Sequence, residues 1–251
     1  MSALFVAWRG DDPQHGWGPV GRLEHDAGVY RFSYTLGALT LRGFRPFSEM
    51  DELERVYESD ELFPLFANRL LSPSRQEYEA FLLWGGFEPK NPPDPIAILG
   101  VTEGIRQTDS IEVFPCVVPD LNGCYVNKFF MHGIRWMESS GMRRVGELIQ
   151  EEQLVVAPEP HNLSDPNAVA VFTEDGTKIG YVPRYLAHDV GQLLSKCPGF
   201  VKLSVQRLNQ DAPLQQRVLC RMNACWPDEF APCSGTAFQS IPKGVPSRCE
   251  A

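Results

Sequence analysis

Residues 159–187, EPHNLSDPNAVAVFTEDGTKIGYVPRYLA, hold the side chains best suited to chemistry. Asn162, Ser164, Asp165 and Asn167 gather ahead of an apolar run, Ala168 to Phe172. Such short amides, hydroxyls and carboxylates can present hydrogen-bonding atoms to a ligand. They also build turns by bonding their own backbone, and the pattern alone leaves both readings open. Enzyme signatures are missing: the chain has no P-loop, no GxSxG, no HExxH and no HRD/DFG pair. His15, His25, His132, His161 and His188 are scattered, and no two carboxylates are spaced as a catalytic pair. The expectation is a protein that is not an enzyme and needs no cofactor. The seven cysteines (Cys116, Cys124, Cys197, Cys220, Cys225, Cys233, Cys249) form no CxxC pair. They are expected to be mostly reduced, several of them buried as small hydrophobes. Cys220, Cys225 and Cys233 fit no common zinc template, so no metal site is expected; a zinc-dependent hydrolase is the weaker alternative.

The elements that must position the polar loop can be read around it. Ala168–Phe172, the Asp175-Gly176 turn and Lys178–Val182 read as a β-hairpin. Pro183 then opens an amphipathic helix carrying Leu186, Val190, Leu193 and Leu194. Upstream, Asn127–Trp136 reads as a strand and LVVAP as a second; downstream, 200–208 and 217–225 alternate as two more. Several short strands with one or two helices suit a small OB-type barrel. The first half reads as strands at 4–8, 20–23 and 29–34, a charged helix at 48–58, and a helix through LFPLFANRLL. A capping box at Ser74 and Glu77 then precedes a helix with Tyr78, Phe81 and Leu82, followed by strands at 96–101 and 110–118. The break at PDLNG, 119–123, places a domain boundary near 120, and the Pro/Gly/Ser-rich stretch 228–251 reads as an irregular tail.

Composition is that of an ordinary globular chain of 251 residues, 43% apolar and 22% charged. No apolar run is long enough to span a membrane, and MSALFVAWRGDD lacks the pattern of a secretion signal, so a cytoplasmic protein is expected. The net charge of −9 argues against a general nucleic-acid binder, but it is unevenly distributed. Residues 1–127 carry 10 Lys and Arg against 19 Asp and Glu, whereas 128–227 carry 11 against 10. DNA contact in the second half would therefore be local and site-directed.

Three motifs in order resemble the HIRAN domain family: Gly133-Ile134-Arg135-Trp136; His161-Asn162 with Asp165-Pro166-Asn167-Ala168; and Gly180-Tyr181-Val182-Pro183. The likeness spans about 128–226 and implies an OB-like fold that captures the 3'-end of single-stranded DNA. Carried over by motif, Arg135 would contact a phosphate and Trp136 would stack on a terminal base. Asp165 would accept a hydrogen bond from the free 3'-hydroxyl, and Asn162 and His161 would hold neighbouring atoms. Tyr181 belongs to the hairpin motif, and Arg184 would be a basic phosphate contact. Met137 and Ser164 stand where the family can carry aromatic residues.

Residues 1–120 resemble, more diffusely, the N-terminal subdomain of HipA-type kinases, through Val20-Gly21-Arg22-Leu23, Phe32-Ser33-Tyr34 and Phe66-Ala67-Asn68-Arg69-Leu70-Leu71. The kinase core that follows in that family is replaced here by the second half. This likeness implies a partner such as a HipA- or HipT-type kinase, with a HipB-like DNA-binding protein. The combined expectation is an α+β chain in three parts. Residues 1–120 form a small HipA-N-like sheet with helices, 121–227 an OB-like HIRAN barrel, and 228–251 a tail. The leading expectation is a DNA-end-binding adaptor. Its alternative is an antitoxin or kinase-inhibitor subunit that does not bind DNA.

Overall fold

The computed structural model describes residues 2–10, 16–106 and 108–242. His15, Cys249 and the end of the tail lie outside the described residues. In chain order the elements are β1 (Ser2–Arg9), β2 (Trp17–Asp26), β3 (Val29–Tyr34), α1 (Gly37–Thr40), β4 (Tyr57–Ser59), α2 (Pro64–Ala67), α3 (Tyr78–Trp84), α4 (Pro95–Thr102) and β5 (Ile111–Pro115). They continue with β6 (Cys124–Phe130), α5 (Ser139–Gly146), β7 (Gln153–Pro158), β8 (Val169–Thr173), β9 (Lys178–Tyr181), α6 (Arg184–Lys196), β10 (Lys202–Leu208) and β11 (Val218–Cys225). No helix among the described residues is long and apolar enough to cross a membrane.

The chain divides into two compact units, and the division differs from a single boundary near 120. The first gathers Met1–Ser72, Pro93–Cys116 and the described part of Cys233–Ala251; the second gathers Pro73–Pro92 and Val117–Pro232. Sequence order hides this because each exchanged segment earns its place through packing, not through its own composition.

The first unit is built on an antiparallel sheet of order β4-β3-β2-β1-β5. Alternation along VYRFSY turns Tyr30, Phe32 and Tyr34 to one buried face. There the Phe32 ring lies 4.9 Å from Tyr34 and 5.8 Å from Phe66. Tyr34 donates its hydroxyl to the Met50 carbonyl at 2.6 Å and accepts from the Phe47 amide at 2.7 Å, which satisfies a buried phenol. Burial pushes that phenol up, beyond the usual tyrosine range. The buried Arg69 donates to the Gly104 carbonyl and to Asp109, both at 2.8 Å.

Three expectations for this unit change. Residues 48–58 are turns leading into β4, not a helix. Residues 96–101 belong to helix α4, not a strand: Asp94 caps it by accepting from the Ile96 amide at 2.8 Å, and Pro95 pre-sets its first turn. The uniformly apolar IAILGV gives no period, so only the cap distinguishes helix from strand. LFPLFANRLL supplies one helical turn, α2. The start of the tail is also ordered: the Phe238 ring sits 4.9 Å from Phe5, and Leu36 donates to the Gln239 carbonyl at 2.8 Å.

The second unit is a curled antiparallel sheet of order β6-β11-β10-β7-β8-β9, a half-barrel. Its edge strands are β6 and β9. Two residues beyond β6, His132 pairs with Tyr181 of β9, so the two edges are drawn together. Helix α6 buries Leu186, Val190 and Leu193, as its 3.6-residue period requires. The segment carrying α3 packs here, where the Trp84 carbonyl accepts from Asn209 at 3.1 Å. Glu77 is itself the N-cap residue of α3, and its side chain makes no capping hydrogen bond. The expected strand 127–136 stops at Phe130, and residues 134–136 form a 3₁₀ turn. Cys197 and Cys225 are joined by a disulfide, which corrects the expectation for these two cysteines and removes Cys225 from any zinc set. Cys220 is buried, and burial pushes its thiol up to about 12, so it stays protonated.

Candidate nucleic-acid interface

The site forms where the sheet edges converge. His132 and Tyr181 exchange backbone hydrogen bonds of 2.9 Å in both directions. The chain then turns at Gly133, whose φ of +71° is left-handed, into the 3₁₀ turn Ile134–Trp136. A side chain at Gly133 would also meet the Tyr181 ring, because a Cβ there would lie 2.7 Å from Cδ2. Gly180 is equally constrained, with a Cβ position 2.5 Å from the Met131 sulfur. Ile134 is buried and anchors the turn, while Arg135 and Trp136 face outward. Trp136 is 74% exposed, and the Arg135 guanidinium lies 4.7 Å from its ring centroid. Met137 is half-buried, packed where α5 begins near Gly141.

The Asn162–Asp165 loop is held from below by a charged cluster. Lys178 Nζ donates to Glu159 Oε1 and to the Tyr181 hydroxyl, each at 2.6 Å. The Tyr181 hydroxyl donates to Glu159 Oε2 at 2.8 Å. Asn162 Nδ2 donates to the same carboxylate at 2.7 Å and reaches the Tyr181 hydroxyl at 3.2 Å. Hydrogen bonds from Lys178, Asn162 and Tyr181 hold the Glu159 carboxyl down at about 2, despite some burial that opposes this. For Lys178, burial works against the charge, but bonding to Glu159 and Tyr181 outweighs it and the net direction is upward.

The other end of the Asn162 side chain organises the tip. Its Oδ1 accepts from the amides of Ser164 at 2.9 Å and Asp165 at 3.1 Å. Asp165 Oδ1 in turn accepts from the Asn167 amide at 2.9 Å. Asp165 Oδ2 lies 3.1 Å from Nε of Arg184, the first residue of α6. These are turn-building bonds, so the structural role of the short polar residues is real. They also leave an ordered, polar, partly open surface.

Tyr181, Asn162, Asp165 and Arg184 thus form one chain of contacts, and Gly133 joins the Arg135–Trp136 turn to it through the Tyr181 ring. His161 and Ser164 are exposed on the loop. Sequence reading passed over Glu159 and Lys178. They flank the loop and hairpin, but at 19 residues apart they resemble ordinary solvated charges until β9 brings them together. Among the described residues, no three His, Cys, Asp or Glu side chains gather as a metal site.

The sequence model of the HIRAN domain family matches residues 125–223. No curated protein matches the chain. Among solved structures, the HIRAN domain of human HLTF is similar at 14% identity and a TM-score of 0.32, covering 42% of this chain and 81% of that one. A protein from Lactobacillus plantarum is similar at 20% identity and a TM-score of 0.33, covering 41% of this chain and 99% of that one. The family match, which takes in β6 through most of β11 and every residue of the site, marks residues 125–223 as a HIRAN domain within a longer chain.

Proposed function

We propose that the HIRAN domain of this chain binds single-stranded DNA at a free 3'-end, as a non-catalytic module of a cytoplasmic adaptor. The observation that carries this reading is an exposed Trp136 ring with a guanidinium beside it, on a turn whose Gly133 meets the Tyr181 ring, while the Tyr181 hydroxyl reaches Asn162 of a loop whose carboxylate is pre-ordered. An exposed indole offers a stacking face to any base, worth about 1–3 kcal/mol. Arg135 and Arg184 supply local positive charge for phosphates in a half of the chain that is otherwise near neutral. Asp165 accepts a hydrogen bond from a 3'-hydroxyl and repels a 3'-phosphate. Asn162 fixes the loop that carries it, and His161 and Ser164 border it. Met137 closes the 3₁₀ turn, its amide donating to the Ile134 carbonyl at 3.1 Å.

The test is a fluorescence-anisotropy titration of Asp165→Ala with short oligonucleotides ending in a 3'-hydroxyl or a 3'-phosphate. Affinity for the hydroxyl end should fall far more than affinity for the phosphate end. Equal wild-type affinity for both ends would remove the reading.

The first unit supports a second role, as a docking part for a separate protein. It has its own core, and its segments 1–72 and 93–116 carry 8 Lys and Arg against 15 Asp and Glu, an acidic excess that favours a basic partner. A HipA- or HipT-type kinase, with a HipB-like protein, is the partner its resemblance implies. Co-purification of the full chain with such a kinase checks this, and a stable complex that leaves no affinity for DNA would favour the antitoxin or kinase-inhibitor alternative.

A further inference from the structure

Resting on the reading above, we infer that Arg184 sets how strongly the site distinguishes a 3'-hydroxyl from a 3'-phosphate, by partly neutralising Asp165. The carboxylate does not face the strand end as a bare charge. Its Oδ2 lies 3.1 Å from Arg184 Nε, and its Oδ1 accepts from the Asn167 amide at 2.9 Å. The pair is asymmetric in exposure: the Arg184 side chain is 41% exposed and that of Asp165 only 15%. Asp165 is therefore held in the loop, while Arg184 reaches it from the start of α6 with much of its length in solvent.

The electrostatic consequence is direct. A phosphate beside a lone carboxylate meets one full like charge. Beside this pair it meets opposite charges a few ångströms apart, so the repulsion from Asp165 is partly offset at the phosphate. A hydroxyl end is neutral and gains its hydrogen bond in either case. Arg184 thus raises affinity for both kinds of end and lowers the contrast between them. A simple phosphate contact would change both affinities by the same factor.

The experiment uses the full chain with Arg184→Met, Arg184→Lys and Asp165→Asn, titrated by anisotropy against a decathymidylate carrying a 3'-hydroxyl or a 3'-phosphate. Far-UV circular dichroism checks that each variant is folded. Arg184→Met should weaken binding to both oligonucleotides and raise the preference for the hydroxyl end by at least about three-fold at low salt. That rise should shrink as salt is added, because the pair is near the surface. Arg184→Lys, which keeps the charge, should stay close to the wild-type preference, and Asp165→Asn should abolish it. An unchanged preference in Arg184→Met would reduce Arg184 to a phosphate contact and overturn the inference. A lost preference there would mean that Arg184 holds Asp165 in place, which overturns it too. If Asp165→Asn leaves the preference intact, or the wild type fails to bind DNA, the parent reading fails as well.

Discussion

The two sides of the site are built in opposite ways. In the Asn162–Asp165 loop both ends of the Asn162 amide and both Asp165 carboxylate oxygens are bonded, with Glu159 and Lys178 beneath it and Arg184 at its tip. The Gly133–Trp136 turn is anchored by backbone pairing, glycine packing and the buried Ile134, and its Arg135 and Trp136 side chains face solvent. A saturated loop defines where a carboxylate sits, to within hydrogen-bond tolerance, and so suits discrimination. An exposed ring on a short turn suits affinity without base preference, because stacking needs only a flat face. The lesson is that two differently built chain segments meet at one residue, Tyr181, and under the proposed reading one would carry specificity and the other affinity.

The largest effect should come from breaking that junction. Gly133→Val puts a branched side chain at φ +71° and against the Tyr181 ring, and should cost about 2–4 kcal/mol in urea denaturation. An unaffected midpoint would show that the junction is not rigid. Next, Trp136→Ala should lower affinity for single strands by about 1–3 kcal/mol in anisotropy titrations and leave thermal stability unchanged, since the ring is exposed. A loss of stability instead would turn this side into core. Glu159→Gln should destabilise the second unit by about 1 kcal/mol, seen in the same urea titration, and blunt the 3'-hydroxyl preference without affecting stacking. The smallest effect concerns pH. Glu159 is lowered in the folded state from an ordinary value of 4.5 to about 2, so its contribution is fully present above about pH 4.5 and is lost as pH falls towards 2. A carboxyl titration followed by NMR should place its midpoint near 2; a midpoint near 4.5 would dissolve the cluster.

Much of the site was legible in the sequence because its groups are crowded within two short stretches. Asn162, Asp165 and Tyr181 lie on one hairpin and its entry loop, where the Asp175-Gly176 turn sets the pairing. Gly133 and Gly180 were visible as motif residues, but not as a mutual contact zone, since their partners Tyr181 and Met131 lie about fifty residues away in the chain. Asp94 and Pro95 could have signalled α4, yet six apolar residues without a period outweighed them. The exchange of 73–92 and 233–242 between the two units carried no local sign.

Local chemistry was therefore set by sequence alone: the hairpin and its turn, the amphipathic α6, the polar loop, and the uneven charge of the two halves. Tertiary structure decided which surface each group faces. The pairing of His132 with Tyr181 brought the Gly133–Trp136 turn to the Tyr181 ring, while the β7-β8-β9 register brought Glu159 and Lys178 together beside Asn162, and the start of α6 placed Arg184 on Asp165. The reason is physical. Turns and helix faces depend on neighbours a few residues apart, whereas an ion pair or ring contact across a sheet edge depends on a register that only the assembled strands impose.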